Sequence, residues 1–410
     1  MTIWSVPFVV LMLTNLFSLM ASFMVNTTLP VYLSDLNVDV SLVGAIAGCF
    51  AASAILVRPI AGSAFVSFPR KKLLMFSQAI GIVCLLGYAL FDDPLIIMAF
   101  RLMHGIGIGC SGPLTVSMAG DFIPQAKFAT GISTFSVSLS AAQVVGPATG
   151  LFLIDLVGYR WLYIICALSV AAASLCVAAV AEKPRPLMPF KIKLSSTFAI
   201  EAVPHTAVVA LYTITNAAIM SYLPLMGREY GIANVGFYFA LYALTVIVAA
   251  PQYGRLSDRY GNERVLLVGF AFFALAYNLL QIGHSVPMLA VIAVLSALGY
   301  GSSQPQIQSL AMKATDISRS AVVNNTYYTG IDIGYLVGPA LAGGIISALA
   351  PYCETMGQTY SSMWPLMFIP ATLGFLIVVY WNIKRTRKRN TLDKTKRAAA
   401  RYELQPPLFK

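Results

Sequence analysis

Charge is what this chain has least of. Asp, Glu, Lys and Arg make up 10% of its 410 residues, against roughly 25% in a soluble domain. With 58% hydrophobic residues and a mean hydropathy of +0.77, that scarcity excludes a soluble globular fold and points to an integral membrane protein. Apolar runs of helix length exclude a transmembrane barrel, whose strands are about 10 residues long and alternate. Histidine is nearly absent, at three residues, and there is neither a CxxC nor a His cluster. No metal site, disulfide framework or cofactor is therefore expected. Cys49, Cys84, Cys110, Cys166 and Cys176 lie in apolar runs, where a thiol acts as a small hydrophobe. A membrane-embedded enzyme would need an H-E-x-x-H, or a Ser/His/Asp set at one depth, and the sequence has neither. No Lys or Arg precedes the first apolar run, which reads as a retained span and not as a cleaved signal peptide.

What charge there is has a pattern. The net charge is +11, and ten of the 27 Lys and Arg lie between Lys384 and Lys410. A basic tail beside a last span reads as an anchor toward anionic lipid, not as a nucleic-acid surface. Twelve spans are expected, near 6–32, 40–66, 72–90, 94–119, 128–154, 158–181, 202–226, 233–255, 265–284, 286–312, 320–349 and 361–383. With both termini cytosolic, the outer loops carry only Arg160 and Arg228, and the inner loops, inner span ends and tail carry 24 basic residues. This is the asymmetry that sets topology. The outer loops are acidic instead, with Asp35, Asp39, Asp92, Asp93 and Glu354.

Gly299, Gly301 and Pro305 follow Gly107, Gly109 and Pro113 by 192 residues. Arg58-Pro59-Ile-Ala-Gly62 and Ala250-Pro251-Gln-Tyr-Gly254 keep the same spacing, as do Gly146-Pro147 and Gly338-Pro339. One spacing held by three elements implies parallel six-span halves. The expected organisation is an N-terminal bundle over 1–181, a cytosolic linker over 182–201, a C-terminal bundle over 202–383 and a basic tail over 384–410.

With these motifs the chain resembles the major facilitator superfamily over essentially its whole length. Gly254-Arg-Leu-Ser-Asp258-Arg259-Tyr-Gly261-Asn-Glu-Arg264 is close to that family's cytosolic G-x-L-x-D-R-x-G-x-x-R/K signature. The loop after span two keeps Gly62 and the basic end, Arg70-Lys71-Lys72, but has lost the acidic residue, the first arginine and the second glycine. Arg101-x-x-His104-Gly105-x-Gly107 resembles the fourth-span motif of proton-linked members, and Gly146-Pro147-Ala-Thr-Gly150 the fifth-span motif of antiporters. The string Tyr327-Tyr328-Thr-Gly330-Ile-Asp332 through Pro339 is similar to the drug and sugar efflux branch. The resemblance implies an all-α fold of two pseudo-symmetric six-helix bundles. It implies a monomeric transporter in the plasma membrane that moves a small organic solute by alternating access, as proton-coupled efflux. A proton-coupled or facilitative importer on the same fold is the alternative, and a non-transport membrane protein is a further one. Arg58, Gly62, Gly254, Asp258, Arg259, Gly261 and Arg264 would form the gate, Asp258 meeting the start of span five near Lys127–Gly131. Gly146, Pro147, Gly338 and Pro339 would kink spans five and eleven.

A charge at the bilayer centre costs about 2.5–3.5 kcal/mol or more. Asp332 is the only acidic residue well inside a span. At about 1.5 Å of rise per residue, it, Arg101 and His104 fall at comparable depth. They are expected to form one polar set in a central cavity, with Asp332 or His104 exchanging the proton and Arg101 tuning its neighbour. Asn15, Asn26, Tyr212, Asn216, Gln304, Gln306, Asn325 and Tyr328 are the expected cavity lining, and Pro305 among polar residues points to a broken helix. Span one lacks an acidic residue, which weighs against a polycationic substrate.

Overall fold

The structure is a computed structural model that describes residues 4–124, 128–182, 187, 189–190, 198–232, 234–314 and 320–384. Its elements are α1 (Val6–Asp35), α2 (Val40–Ser67), α3 (Arg70–Leu90), α4 (Pro94–Gly120), α7 (Val203–Glu229), α8 (Gly236–Tyr260), α9 (Asn262–Ile282), α10 (Val286–Lys313), α11 (Ser320–Leu349) and α12 (Met356–Lys384). Between α4 and α7, one hydrogen-bonded helix runs over Phe128–Ala178 and reverses at Gly158, where φ is 76°. Its arms are α5 (128–157) and α6 (159–178). The sequence leads one to expect a short loop there; a single residue in a conformation open to glycine replaces it. Among the described residues ten helices are long and apolar enough to span a membrane, and the stretch Val137–Ala178 among them is long enough for two. A further pair, Gly236–Ala249 and Gln252–Tyr260, is bent by 48°. Together these are the twelve expected spans.

Helix starts explain why one end of the bundle is acidic. Asp39 caps α2 by accepting from the Ser41 and Leu42 amides, and Asp93 caps α4 through Leu95 and Ile96. Each satisfies donors that a helix start leaves open. The Ser41 hydroxyl and amide hold the Asp39 carboxyl below its usual range. Asp92 accepts from the Tyr32 hydroxyl at 2.5 Å. We call this the far end, and the opposite one the linker end. At the linker end Glu182, the first linker residue, accepts from the Arg70 and Lys71 amides and so caps α3. The rest of the linker lies mostly outside the described residues, as does the tail beyond 384.

The repeat is visible in three dimensions. Arg70 at the head of α3 pairs with Asp121 at the foot of α4. Their counterparts 192 positions on are Asn262 and Lys313, and Lys313 Nζ donates to Asn262 Oδ1 at 2.9 Å. The contact is kept although the residue types are exchanged. Gly146 lets α5 approach α1 at Phe23 and Met20, and Gly338 lets α11 approach α7 at Ile214 and Ala217. Both helices run on through Pro147 and Pro339. The helix expected to break around Pro305 does change its winding, with a π turn at Ala297–Gly301 just ahead of the polar run. Gly299 there packs directly on Phe273.

The two cores differ. Tyr212, Phe270, Phe273 and Tyr277 of the C-terminal half belong to one continuous apolar cluster. The N-terminal half has two separate ones, around Tyr88, Leu162 and Tyr163 toward the far end and around Phe8, Leu74 and Phe135 toward the linker end.

Candidate functional site

The halves meet along α2 and α11, which run antiparallel. Gly44 and Gly48 of α2 lie against the carbonyls of Pro339 and Leu336, and Gly343 of α11 against that of Val40. A methyl group at any of these would collide with backbone, so glycine sets how closely the halves approach. The Tyr222 hydroxyl of α7 donates across the seam to Val40 O at 3.2 Å, and also reaches Pro339 O at 3.1 Å. Farther out, Asp35 of α1, Tyr159 of α6 and Arg228 of α7 close a triangle. Arg228 Nη1 lies 2.6 Å from Asp35 and Nη2 2.9 Å from the Tyr159 hydroxyl, which itself donates to Asp35 at 2.6 Å. In the sequence Asp35 and Arg228 read only as loop charges, and no signal there joins them to Tyr159.

Deeper in, α2 and α11 exchange an ion pair. Arg58 Nε and Nη2 both reach Asp332 Oδ2, at 2.6 and 2.5 Å, and the side chains are only 11% and 14% exposed. Asp332 therefore meets Arg58 and not Arg101. Arg58, read in sequence as an inner-end gate residue, lies three residues before the end of the apolar stretch Val40–Ala61, and α2 itself runs on to Ser67.

Arg101 and His104 lie elsewhere, inside the N-terminal half. Arg101 is 1% exposed; its Nη2 donates to Asn26 Oδ1 at 2.5 Å and to Ala47 O at 3.1 Å, and its guanidinium sits 4.6 Å from the Phe50 ring centroid. His104 Nδ1 is 3.3 Å from the Tyr88 hydroxyl. The three expected partners thus form two sites, on either side of α2.

The other expected lining residues divide in the same way. Asn15 is buried between Thr115, 3.0 Å away, and Ser138, 2.8 Å away. Tyr212 is stacked on Phe273 in the C-terminal core, and Asn216 is buried beside it on α7. Gln306 accepts from Ser257 and Asn262 at the linker end, at 2.5 and 2.7 Å, so it belongs to that network. The Gln304 carbonyl accepts from Tyr327 at 2.8 Å, and the Asn325 carbonyl from Thr329 at 3.0 Å. Tyr328 packs edge-on to Tyr327.

Of the expected gate, Asp258, Arg259 and Arg264 are exposed, and the Arg259 guanidinium lies over Tyr260. Gly254 has open space around it. Gly261 takes φ 91°, ψ 148° to turn α8 into α9, a backbone that favours glycine. Lys127, in the expected seat of Asp258, lies outside the described residues, and Gly62 falls within α2. At the far end, the loop residue His284 stacks on Tyr230 at 3.7 Å and bonds Ser361 Oγ at 2.8 Å; burial pushes its pKa down. Among the described residues, no group of three or more His, Cys, Asp or Glu could hold a metal ion.

Twelve spans in two repeated halves, joined along glycine-lined helices around a buried ion pair, are the build of a membrane transporter. A sequence profile of the Major Facilitator Superfamily matches residues 11–204 and 206–409, and the chain belongs to that family. It is 25% identical over 370 residues to the multi-drug resistance efflux pump PmrA of Streptococcus pneumoniae, covering 83% of this chain and 90% of that one. It is 30% identical over 185 residues to the class B tetracycline resistance protein of Escherichia coli, covering 43% of this chain and 42% of that one. In fold it is similar to the nucleoside transporter NupG, with a TM-score of 0.74 at 12% identity over 91% of this chain and 99% of that one. It is also similar to a bacterial homolog of the lysosomal transporter Spinster in an inward-facing, unoccupied conformation, with a TM-score of 0.71 at 14% identity over 91% and 96%.

Proposed function

We propose that this protein exports a small organic solute across the plasma membrane in exchange for protons, its two halves rocking about the pocket between them. The observation that carries this reading is the Arg58–Asp332 pair. It joins the halves within the spans, where two charges are held out of water at a desolvation cost that only their pairing offsets. Arginine stays charged at any physiological pH, so the carboxylate is the member that can take up a proton. A protonated Asp332 no longer holds Arg58, and the contact between the halves loosens. Proton binding and rearrangement are then one event, as coupling requires.

The working units in this reading are the bundles 1–181 and 202–383, joined by the linker 182–201 and followed by the basic tail 384–410. The excess of Lys and Arg in the linker-end loops and tail supports a cytosolic linker end and cytosolic termini, with the tail against anionic lipid. The Asp35–Tyr159–Arg228 triangle and the glycine seam then close the outer side, and the protein acts as a monomer in its inward-facing state. Exposed Asp258 supports the same assignment. It would reach the start of α5, together with the Gly62 end of α2 and the Gly254–Arg264 stretch that joins α8 to α9, only when the cytosolic side shuts. Arg101 and His104, with Asn26 bonded to Arg101, are buried polar groups of the N-terminal half, and Gln304, Asn325 and Tyr328 are the lining residues that the solute would meet. The match to multidrug and tetracycline exporters supports outward transport.

The test is flux in proteoliposomes carrying an imposed pH gradient, with ethidium and tetracycline as probes. Wild-type accumulation should follow the gradient. Asp332→Asn should abolish gradient-driven accumulation and keep probe exchange at equal pH. Wild-type flux indifferent to the gradient refutes proton coupling, and gradient-driven accumulation undiminished in Asp332→Asn refutes the role of Asp332.

A further inference from the structure

The N-terminal half carries an open groove on its apolar surface, between α2 and α3. These two helices barely touch each other, and both pack on α4. Gly109 brings α4 against Ala54 and Val57 of α2, and Gly107 brings it against the Ser77 carbonyl of α3. Ile106, Cys110 and Leu114 recur every four residues, on one face of α4, and they face the gap. They floor a cavity of about 130 Å³, with Ala61 and Ala64 of α2 on one side and α3 from Leu73 to Ile80 on the other. The Ser77 hydroxyl in that wall is already bonded to Leu74 O at 2.8 Å, so the lining offers a ligand apolar surface. The rim is apolar and open: Phe76 is 67% exposed and Ile106 39%. At about 1.5 Å per residue, the wall from Leu73 to Ile80 is about 10 Å long. That is most of the ~15 Å that one leaflet contributes to a hydrocarbon core of about 30 Å.

The C-terminal half closes the equivalent place with a side chain of its own. A shift of 192 positions carries Ala61 to Tyr253 and Ile106 to Leu298. The Tyr253 hydroxyl donates to the Leu298 carbonyl at 2.9 Å. Its ring thus bridges α8 to α10 at the position where Ala61 leaves α2 and α4 apart. The repeated frame is built equally well without an opening there. A gap in apolar packing forfeits dispersion contacts along its lining. On a surface that faces hydrocarbon, the material that restores those contacts is an acyl chain.

Charge at the end of the groove says which lipid supplies the chain. The α3 helix starts with three basic residues. Arg70 is taken up by Asp121 and Ser117, and Lys71 Nζ by the Ala178 carbonyl. Lys72 is exposed and has no partner among the described residues. It stands one turn from Phe76 on the same face of α3, at the linker end of the groove. No Asp or Glu occurs from Val40 to Phe91 to compete for it.

We infer that this groove binds an anionic phospholipid of the leaflet at the linker end, with one acyl chain on the α4 floor and the phosphate on Lys72. The inference goes beyond the transport reading and does not depend on it. The chain replaces the contacts that Tyr253 makes in the other half. Lysine at a membrane surface attracts anionic headgroups. A zwitterionic lipid offers the same chain, but its own ammonium offsets the phosphate, so it gains less from Lys72.

Photo-crosslinking on the full chain tests this. Phosphatidylglycerol and phosphatidylcholine with the same diazirine-bearing acyl chain are compared in phosphatidylcholine liposomes, and the labelled residues are mapped by mass spectrometry. Phosphatidylglycerol should label Ile106 and Cys110 several-fold more than their counterparts Leu298 and Ser302, and several-fold more than phosphatidylcholine does. Ala61→Tyr, the residue of the other half, should bring the label down to the level of that half. Ala61→Leu is a smaller filling that gives the same comparison if the tyrosine variant does not fold. Lys72→Gln should keep the chain labelling and lose the preference for phosphatidylglycerol. Equal labelling of the two halves in wild type, or labelling undiminished by filling at Ala61, overturns the groove as a lipid site. Equal labelling by the two lipids in wild type overturns the assignment of the headgroup to Lys72. Tetracycline displacing the labelled lipid would make the groove a solute entry and overturn the proposal, whereas loss of gradient-driven flux leaves every one of these readouts unchanged.

Discussion

Gly343 offers the sharpest test of how the halves are held together. A methyl group there would lie 2.6 Å from the Tyr222 hydroxyl and 2.7 Å from Val40 O, where ordinary contact begins at 3.4 Å. The α2 backbone would have to retreat by about 0.7 Å, or Tyr222 give up its bonds across the seam. Overpacking of this kind costs about 1–3 kcal/mol, and it applies only while α2 and α11 touch at the far end. The gain from replacing a helical glycine by alanine, about 1 kcal/mol, is common to both states and cancels. Gly343→Ala should therefore shift the equilibrium about 5- to 150-fold toward the state open at the far end. Gly344 is the control: it is the next residue on the same helix and has nothing within 4 Å. Spin labels at Phe91 and Tyr352, exposed far-end positions in opposite halves, report the separation in a background with the native cysteines replaced. The distance distribution should lengthen in Gly343→Ala and match wild type in Gly344→Ala. Identical distributions in all three would refute the idea that glycine packing sets the far-end closure.

Three further outcomes follow from the same geometry. A double-mutant cycle on Asp35→Asn and Arg228→Gln, read by the same spin labels, should give a coupling of about 0.2–1 kcal/mol that shrinks with added salt, because both side chains are nearly half exposed. Gly261→Ala should lower the melting temperature by a cost of about 1–3 kcal/mol, since φ 91°, ψ 148° is strained for any side chain, whereas Gly254→Ala should not lower it. His284 binds its proton less readily folded than unfolded because it is buried. Below the unfolded value of about 6.5 the unfolded chain holds the extra proton, so stability should fall as pH drops through that region. In a thermal-melt series from pH 7.5 to 5, His284→Gln should flatten this slope, and an unchanged slope would exclude His284 as its source.

Much of the fold could be read from the sequence because hydropathy and a fixed spacing are one-dimensional signals. The spans and the two halves follow from counting residues along helices. Which way each helix faces does not. Asp332 and Arg101 stand on opposite sides of α2, and a chain apolar on nearly every face gives no periodicity from which to orient them. Arg58 reads in sequence as an inner-end residue, and no one-dimensional signal shows that its side chain turns to Asp332 of α11. The acidic far-end loops were legible as a topology signal, but not as caps for α2 and α4 or as one corner of the Asp35–Tyr159–Arg228 triangle, which needs three separate helices in place.

The repeat carries more information where it fails than where it holds. Arg70–Asp121 and Asn262–Lys313 keep a contact while its chemistry changes, which marks the contact as architecture. Asn26 and Arg101, bonded between α1 and α4 in one half, are Ala218 and Ala293 in the other, which marks their polarity as dispensable for folding. The Arg58–Asp332 pair falls between these cases: its counterparts, Ala250 and Ser140, carry no charge, so the pair occurs once, across the seam. Duplicated halves supply the frame, and each departure from the duplication that puts charge in the membrane interior breaks the symmetry between them.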